Sequence, residues 1–508
     1  MNQMKTKNWK LKISFSWGFS TLELMIAMAV IVTAISTVIL VVFGNQKMAV
    51  DNQLNNSAVQ KGSEMIESAR ASARIDFNGL SGTTTITDDI YTKILSVNDI
   101  NPCKKNVVSS VNWNTDPSRP QAIEFNTSIT NSRTAVALGG DCGPDAGDDD
   151  WIPLVCDDND ATFDFTPAGV KGKAVDLIKR GDSKYALLAS EGNAAAQPDF
   201  WVVDVTSRSN PPEVSSINTT DESLSDIDAF SNYAFTANND DDGQLQVIDI
   251  ANLSMPSIVA TRSLYNITSP DSQGKKIFYY NKKIYIGTDY MAFGAPGQNE
   301  ELQVFDVTDP TNPTFSGSYN VNHNIYDIFV RNEVIAGNPK TIAYLALSAT
   351  AAGSPELMVL DVTDPSAIAP SGPGFNAEGF NQYGTAIYIL GNVLYLGREK
   401  GSGVNYDLYV LDVSNHASIS VLDSALLGLA NNTEVRAIIV SGGYAFIATS
   451  DSGSPAFQIW NIKDPTNIAR ITSCNYPQKP EDLDFDGTNI YVTNGSNEGL
   501  RILYDGSP

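Results

Sequence analysis

The sequence predicts a multidomain chain: a long N-terminal α-helix carrying a small α+β head, followed by an all-β propeller of seven blades. Three observations lead there. Leu24–Phe43 is an uncharged, apolar run of twenty residues. Apolar residues then continue at helical steps, and from residue 162 onward the chain repeats with a period of roughly 40–50 residues, the mark of a repeat architecture. At 508 residues there is room for two or three domains. The formal charge of −25 disfavours nucleic acid and anionic membrane surfaces and favours cations or basic partners.

The leader Met1–Trp17 carries Lys5, Lys7, Lys10 and Lys12 and no acid, a pattern that keeps it on the cytoplasmic side. At ~1.5 Å per residue the apolar run is about 30 Å long, one bilayer core, and no A-x-A cleavage site follows it. A persistent single-pass span is expected. Glu23 sits at the mouth of this run with no Lys or Arg nearby. A carboxylate there is costly without a cationic partner, which makes it a functional candidate. Leu54, Ala58, Met65, Ile66, Ala69 and Ala73 carry the helical period to about Arg74. The turn-rich stretch that follows, 76–160, is the candidate head, with strand-like runs at Ala122–Asn126 and Thr134–Leu138.

The stretch Gly18-Phe19-Ser20-Thr21-Leu22-Glu23-Leu24-Met25 resembles the cleavage and methylation signature of type IV pilins and of the type II secretion pseudopilins. The resemblance implies that a prepilin peptidase cuts between Gly18 and Phe19, and that Phe19 becomes an N-methylated terminus. Glu23 would pair with the terminal amine of a neighbouring pilin subunit in a filament. It divides the chain into a leader 1–18, an assembly helix 19–75, a pilin-like head with an acidic linker 76–160, and a propeller 161–508. It also implies residence in the cytoplasmic membrane with the N-terminus inside, then in an extracellular pilus or a periplasmic pseudopilus. Val30 to Val42 lacks the Gly and Pro that many major pilins place in this run, and retention of Glu23 argues against an obligate filament cap.

Cys103, Cys142, Cys156 and Cys474 allow three disulfide pairings in an exported chain. Cys142–Cys156 closes the short local loop, and Cys156–Cys474 is the rival. The acidic stretch around Asp148-Asp149-Asp150 could hold Ca²⁺ but has no ordered ligand spacing, so a solvated linker is the stronger reading.

The repeats are clearest at Leu302-Gln-Val-Phe-Asp306-Val-Thr-Asp-Pro310, Leu357-Met-Val-Leu-Asp361-Val-Thr-Asp-Pro365 and Leu408-Tyr-Val-Leu-Asp412-Val. Weaker copies at Phe200–Val205, Leu245–Ile250 and Phe457–Asn461, with a degenerate one at Leu500–Tyr504, make seven units. Each begins with two strand-like runs and ends in a fourth after the Asp-Pro turn, which is the content of a propeller blade. The motif resembles the LVIVD repeat, and that resemblance implies a β-propeller. The repeated Asp is read as structural, accepting backbone N–H groups of the turn after it. The seventh unit lacks a fourth strand, and Ala161–Thr166, ahead of the first unit, matches that strand, so the two ends are expected to pair and close the ring.

His323 and His416 are the only histidines, in different units and outside any metal-ligand spacing. No phosphate loop, H-E-x-x-H or G-x-S-x-G is present. Asp482-Leu-Asp484-Phe-Asp486-Gly487 starts like a calcium loop but has Thr493 at its twelfth position, so a hairpin turn fits better. Asp176, Asp226, Asp327 and Asp482 fall at nearly the same place on the first strand of their units. Together they would make a cation site, with Ca²⁺ as the candidate ion, or a negative docking mouth; separately solvated acids are the plainer reading. The expected function is a pilin-like filament subunit displaying the propeller for adhesion or recognition of an extracellular ligand or surface. The rivals are a secretion pseudopilin with a substrate-binding propeller and a tethered propeller enzyme, and the shortage of histidine argues against the enzyme.

Overall fold

The computed structural model describes residues 21–504 except 76, 78–79, 89, 102–103, 115–119, 131–160, 193–196, 208, 220–222, 241–242, 266–272, 290–299, 349–353, 378–381, 401–405, 442, 451–454 and 476–477. By contact density it divides into two compact units, one built on residues up to 70 with 82–97 and 107–127, the other holding the remainder of the chain.

In the first unit the helix Thr21–Ile75 meets a four-stranded antiparallel meander, Gly82–Asp88, Tyr91–Asn101, Lys104–Asn114 and Pro120–Thr130. The third strand alternates buried and half-buried residues along its length, as a sheet with one covered face requires. Ala58 of the helix packs with Tyr91, Val111 and Trp113 of the sheet. Gly62 is needed there because a Cβ would overlap the Phe125 ring, and its carbonyl accepts the Ser109 hydroxyl at 3.0 Å. In the apolar half of the helix, Thr33 and Thr37 return their hydroxyls to the carbonyls of Ala29 and Thr33, both at 2.9 Å.

The expected fold class and localisation are corrected here. The described residues form a predominantly β chain of eight four-stranded sheets. No helix among them is long and apolar enough to cross a membrane. The single-pass anchor over Leu24–Phe43, with its placement in the cytoplasmic membrane, is therefore not supported. Gly18, Phe19 and the run Thr134–Leu138 lie outside the described residues, as does the side chain of Glu23.

Seven of the eight sheets form the propeller. Blades 1 to 6 cover 171–217, 224–262, 274–319, 325–370, 384–425 and 435–474, and blade 7 covers 480–504. The last blade takes its fourth strand from Ala161–Asp164, which pairs antiparallel with Glu498–Tyr504 in the register Leu500↔Phe163 and Ile502↔Ala161. The third strand of each blade is buried on both faces, as in Leu245–Asp249, where only Asp249 reaches solvent. A blade covered on both sides by its neighbours needs this continuous apolar run rather than an alternating one.

Seven apolar layers lie between successive blades, and the seventh closes the circle. It joins Tyr491, Leu500 and Ile502 of blade 7 to Trp201 and Val203 of blade 1 through Phe163 and Phe165. Phe165 packs 4.9 Å from the Trp201 ring, and its N–H donates to the Asn497 carbonyl at 2.9 Å. Outside the layers, the Asp ending the L-x-V strand of blades 1 to 5 folds the next turn: Thr206, Ala251, Thr308, Thr363 and Ser414 donate N–H to Asp204, Asp249, Asp306, Asp361 and Asp412 at 2.8–3.0 Å. These turns press against the preceding blade. A Cβ on Gly317 would overlap the Pro365 carbonyl oxygen, and one on Gly372 the His416 carbonyl oxygen.

Two outcomes test this packing. A chain beginning at Asp160 should melt higher than one beginning at Val170, which leaves blade 7 with an open edge; equal melting temperatures would contradict the closure. Gly372→Ala should cost roughly 3 kcal/mol or more, measured by denaturant unfolding, because backbone rather than a flexible side chain must move.

Candidate functional site

The first strand of each blade lines the central channel and has one edge that its own sheet leaves uncovered. Six aspartates on these strands reach across to the next blade's backbone. Asp482 and Asp484 of blade 7 accept the N–H groups of Val175 (3.1 Å) and Leu177 (2.8 Å), and Asp176 accepts that of Ala229. Asp226 and Asp228 accept from Ile277 (2.8 Å) and Tyr279 (2.6 Å), and Asp327 accepts from Ile387 (2.7 Å). Hydrogen bonds to an ionised acceptor are the stronger kind, about 1.5–3 kcal/mol each before the cost of burying the charge.

A register shift in every first strand sets the tiers. It falls between Gly172 and Ala174, Leu224 and Asp226, Gly274 and Lys276, Ile325 and Asp327, and Pro480 and Asp482. Ala174, Asp226, Lys276, Asp327 and Asp482 thus form an upper tier. Asp176, Asp228 and Asp484 stand two residues further along, in a lower one. The expected constellation is corrected on this point, since Asp226, Asp327 and Asp482 share a level and Asp176 does not. The repeated glycines Gly172 and Gly274, each followed two residues later by the upper-tier residue, are the signal that would have given the alignment.

The upper tier already contains a cation. Lys276 Nζ lies 3.3 Å from Asp226 Oδ1 and 3.9 Å from Asp327 Oδ1. Burial pulls its pKa down, but the carboxylates of Asp226, Asp482 and Asp327 outweigh it and hold Lys276 above its ordinary value. Among the described residues no group of three His, Cys, Asp or Glu side chains is placed to hold a metal ion. The Ca²⁺ site expected at Asp176, Asp226, Asp327 and Asp482 is corrected accordingly: one oxygen of each is engaged by a neighbouring N–H, and Lys276 supplies the positive charge between blades.

The lower tier is divided. Phe278, Phe329 and Tyr388 of blades 3 to 5 stand opposite Asp484, Asp176 and Asp228 of blades 7, 1 and 2, and these six line one cavity of about 260 Å³ with the upper-tier acids and Lys276. Ring centroids are 5.5 Å apart for Phe278–Phe329 and 5.9 Å for Phe329–Tyr388. Sequence reasoning missed Lys276, Asp228 and this aromatic half-ring.

Of the other candidates, Asp486 folds a hairpin turn rather than an ion loop, accepting the N–H groups of Thr488 (2.8 Å) and Asn489 (2.7 Å). His416 replaces the proline of the Asp-Pro turn. Its ring ties blade 5 to blade 4, with Nδ1 2.7 Å from Ser371 Oγ and Nε2 3.0 Å from Glu333 Oε2 and from Tyr344 Oη. Burial pushes the His323 pKa down. Cys142, Cys156 and the acidic linker lie outside the described residues. Cys474 is disulfide-bonded.

The chain matches the family described as LVIVD repeat over residues 223–262, 295–321 and 433–475. No curated protein sequence matches it. Among solved structures it is similar to Saccharomyces cerevisiae Sqt1 at 10% identity, covering 69% of this chain and 100% of that one, with a TM-score of 0.43. It is similar to a catalytically inactive virginiamycin B lyase variant from Staphylococcus aureus at 10% identity over 68% and 98%, with a TM-score of 0.44, and to BamB from Moraxella catarrhalis at 12% over 66% and 83%, with a TM-score of 0.38. At this level of likeness no ligand or activity transfers. The repeats and the ring of four-stranded sheets make the C-terminal part an LVIVD-repeat β-propeller.

The buried acids give the fold a pH signature. Burial is the largest influence on each, pushing Asp482 up to about 7 and Asp327 and Asp484 to about 6. The folded state thus holds these protons more tightly than the unfolded chain, where Asp titrates near ~3.9. Their stabilising contribution is full below about pH 4 and is lost as pH rises through about 6 to 7. Glu333 and Asp486 act oppositely. Burial alone would raise both, but His416 and Arg331 on Glu333, and Lys184 and backbone N–H groups on Asp486, hold each down at about 2. Their contribution is lost below about pH 4. The melting temperature should therefore peak between about pH 4 and 6 and fall toward pH 8, and Asp482→Asn should flatten that fall. A melting temperature still rising from pH 6 to 8 would contradict this.

Proposed function

We propose that the protein is a type IV pilin-like filament subunit that displays its propeller as a recognition module. The observation that carries this reading is the apolar half of the helix. Met25, Ile26, Met28, Val30, Ile31 and Val41 are all exposed, between 56% and 71%. At about 100° per residue these positions point in every direction around the axis, so one partner face cannot cover them. Apolar side chains exposed all round a helix call for burial among several copies of the same helix, as at the centre of a filament.

The segment Gly18-Phe19 ahead of this helix supports the same reading, with cleavage between the two residues and an N-methylated Phe19. Glu23 then pairs with the terminal amine of a neighbouring copy. The propeller needs no reaction to account for it: the aspartates at its centre hold blades together and the repeated turn aspartates hold turns.

Sedimentation of assembled material tests this. Ile31→Asp with Ile35→Asp should leave the propeller's melting temperature unchanged while the subunit stays dispersed, because two buried charges in an apolar bundle cost several kcal/mol. Glu23→Ala should behave likewise. Wild-type levels of either variant in pelleted filaments would refute the assembly role.

A further inference from the structure

The lower tier joins two chemistries in one small site. The side chains of Asp176, Asp228 and Asp484 form one wall, and the rings of Phe278, Phe329 and Tyr388 form the other. All six are half-buried rather than sealed, so the cavity communicates with solvent. Its volume of about 260 Å³ falls below the ~300–1,000 Å³ of sites for drug-sized ligands and suits a side chain or a short amine.

An acidic wall alone would accept any cation, but the opposite wall discriminates. The faces of these rings offer no ligand atom to a metal ion, whereas they attract an organic cation and cover its methylene groups. One tier above, the protein has solved the same problem with its own alkylammonium, the Lys276 Nζ lying between Asp226 and Asp327. In the lower tier the neighbouring charges that act on Asp176 are those of Asp228 and Asp484, both repulsive, and with burial they push its pKa up. A cation entering at that level relieves the repulsion.

We propose that the propeller channel binds an alkylammonium group on a short apolar stem. Its head sits among Asp176, Asp228 and Asp484, and its stem lies along Phe278, Phe329 and Tyr388. The inference rests on reading the propeller as a recognition module and is independent of filament assembly. A free amine and the lysine side chain of a partner protein share this chemistry.

Isothermal titration calorimetry on the purified full-length chain at about pH 8, above the value of about 6 to which burial raises Asp484, tests it. The probes are n-pentylamine, pentan-1-ol as its neutral isostere, calcium chloride, and the capped peptide Gly-Lys-Gly. Pentylamine should bind at least about tenfold tighter than pentanol or calcium, since charge-assisted hydrogen bonds and cation–π contact act on the amine alone. Tighter binding of the peptide than of pentylamine assigns the site to a partner's lysine, and the reverse order to a free amine. Asp228→Asn, whose amide oxygen can still accept the Tyr279 N–H, should weaken pentylamine about tenfold. Phe329→Leu should weaken it about fivefold with the melting temperature little changed. Equal affinity for pentanol or calcium, no binding of either amine, or full affinity in Phe329→Leu would overturn the proposal. The wild-type comparison decides even where the Asp228 variant fails to fold. None of these outcomes alters the sedimentation behaviour on which the filament reading stands.

Discussion

Backbone N–H groups on the uncovered edge of each inner strand are the constraint from which the propeller's centre follows. A buried N–H without an acceptor costs about as much as a lost hydrogen bond. The chain answers it with aspartates from the preceding blade, on Val175, Leu177, Ala229, Ile277, Tyr279 and Ile387. Each such bond joins two blades, so the same side chains that satisfy the edge also set the angle between neighbours. Asp482 and Asp484 do this at the seam where the last blade meets the first.

This solution brings acids into a narrow channel, and the remaining features there offset their repulsion. Lys276 compensates the upper tier from within. In the lower tier burial and mutual repulsion raise the Asp176 pKa, and stability becomes sensitive to pH in the range where those protons come off. Further out the apolar layers dominate. Trp201, Phe165 and Tyr491 are almost fully buried at the closing interface, where each large side chain contributes roughly 1.5–3 kcal/mol. Closure therefore depends on both a polar inner ring and an apolar outer one.

Much of this was legible in the sequence because it is local. The L-x-V-x-D strand, the turn its Asp folds, and the seven units all repeat within short windows, and Ala161–Thr166 could be matched to the missing fourth strand by its position in the repeat. What escaped is set by register between units. Aligning Asp176 with Asp226 sets the two strands two residues out of step, because the bulge falls after Gly172 in one and after Leu224 in the other, and that offset moves a carboxylate from the Lys276 tier to the aromatic one. Lys276 was passed over because, in sequence, it is an ordinary lysine beside Lys275; only the ring brings Asp226 and Asp327 to it. The membrane reading of Leu24–Phe43 relied on run length and hydropathy, and the described helix offers no span long and apolar enough to meet that requirement.

Native-state hydrogen exchange of the channel amides tests the central claim most directly. In the wild-type protein the N–H groups of Ile277 and Tyr279 are expected to exchange only through global unfolding, although they lie on an uncovered strand edge. In Asp226→Ala with Asp228→Ala these two amides should exchange through local opening, while Ile284 and Ile286 on the next strand of blade 3 keep their protection. If Ile277 and Tyr279 exchange rapidly in the wild type, or stay protected without the two carboxylates, the aspartates are not what holds the inner ring together.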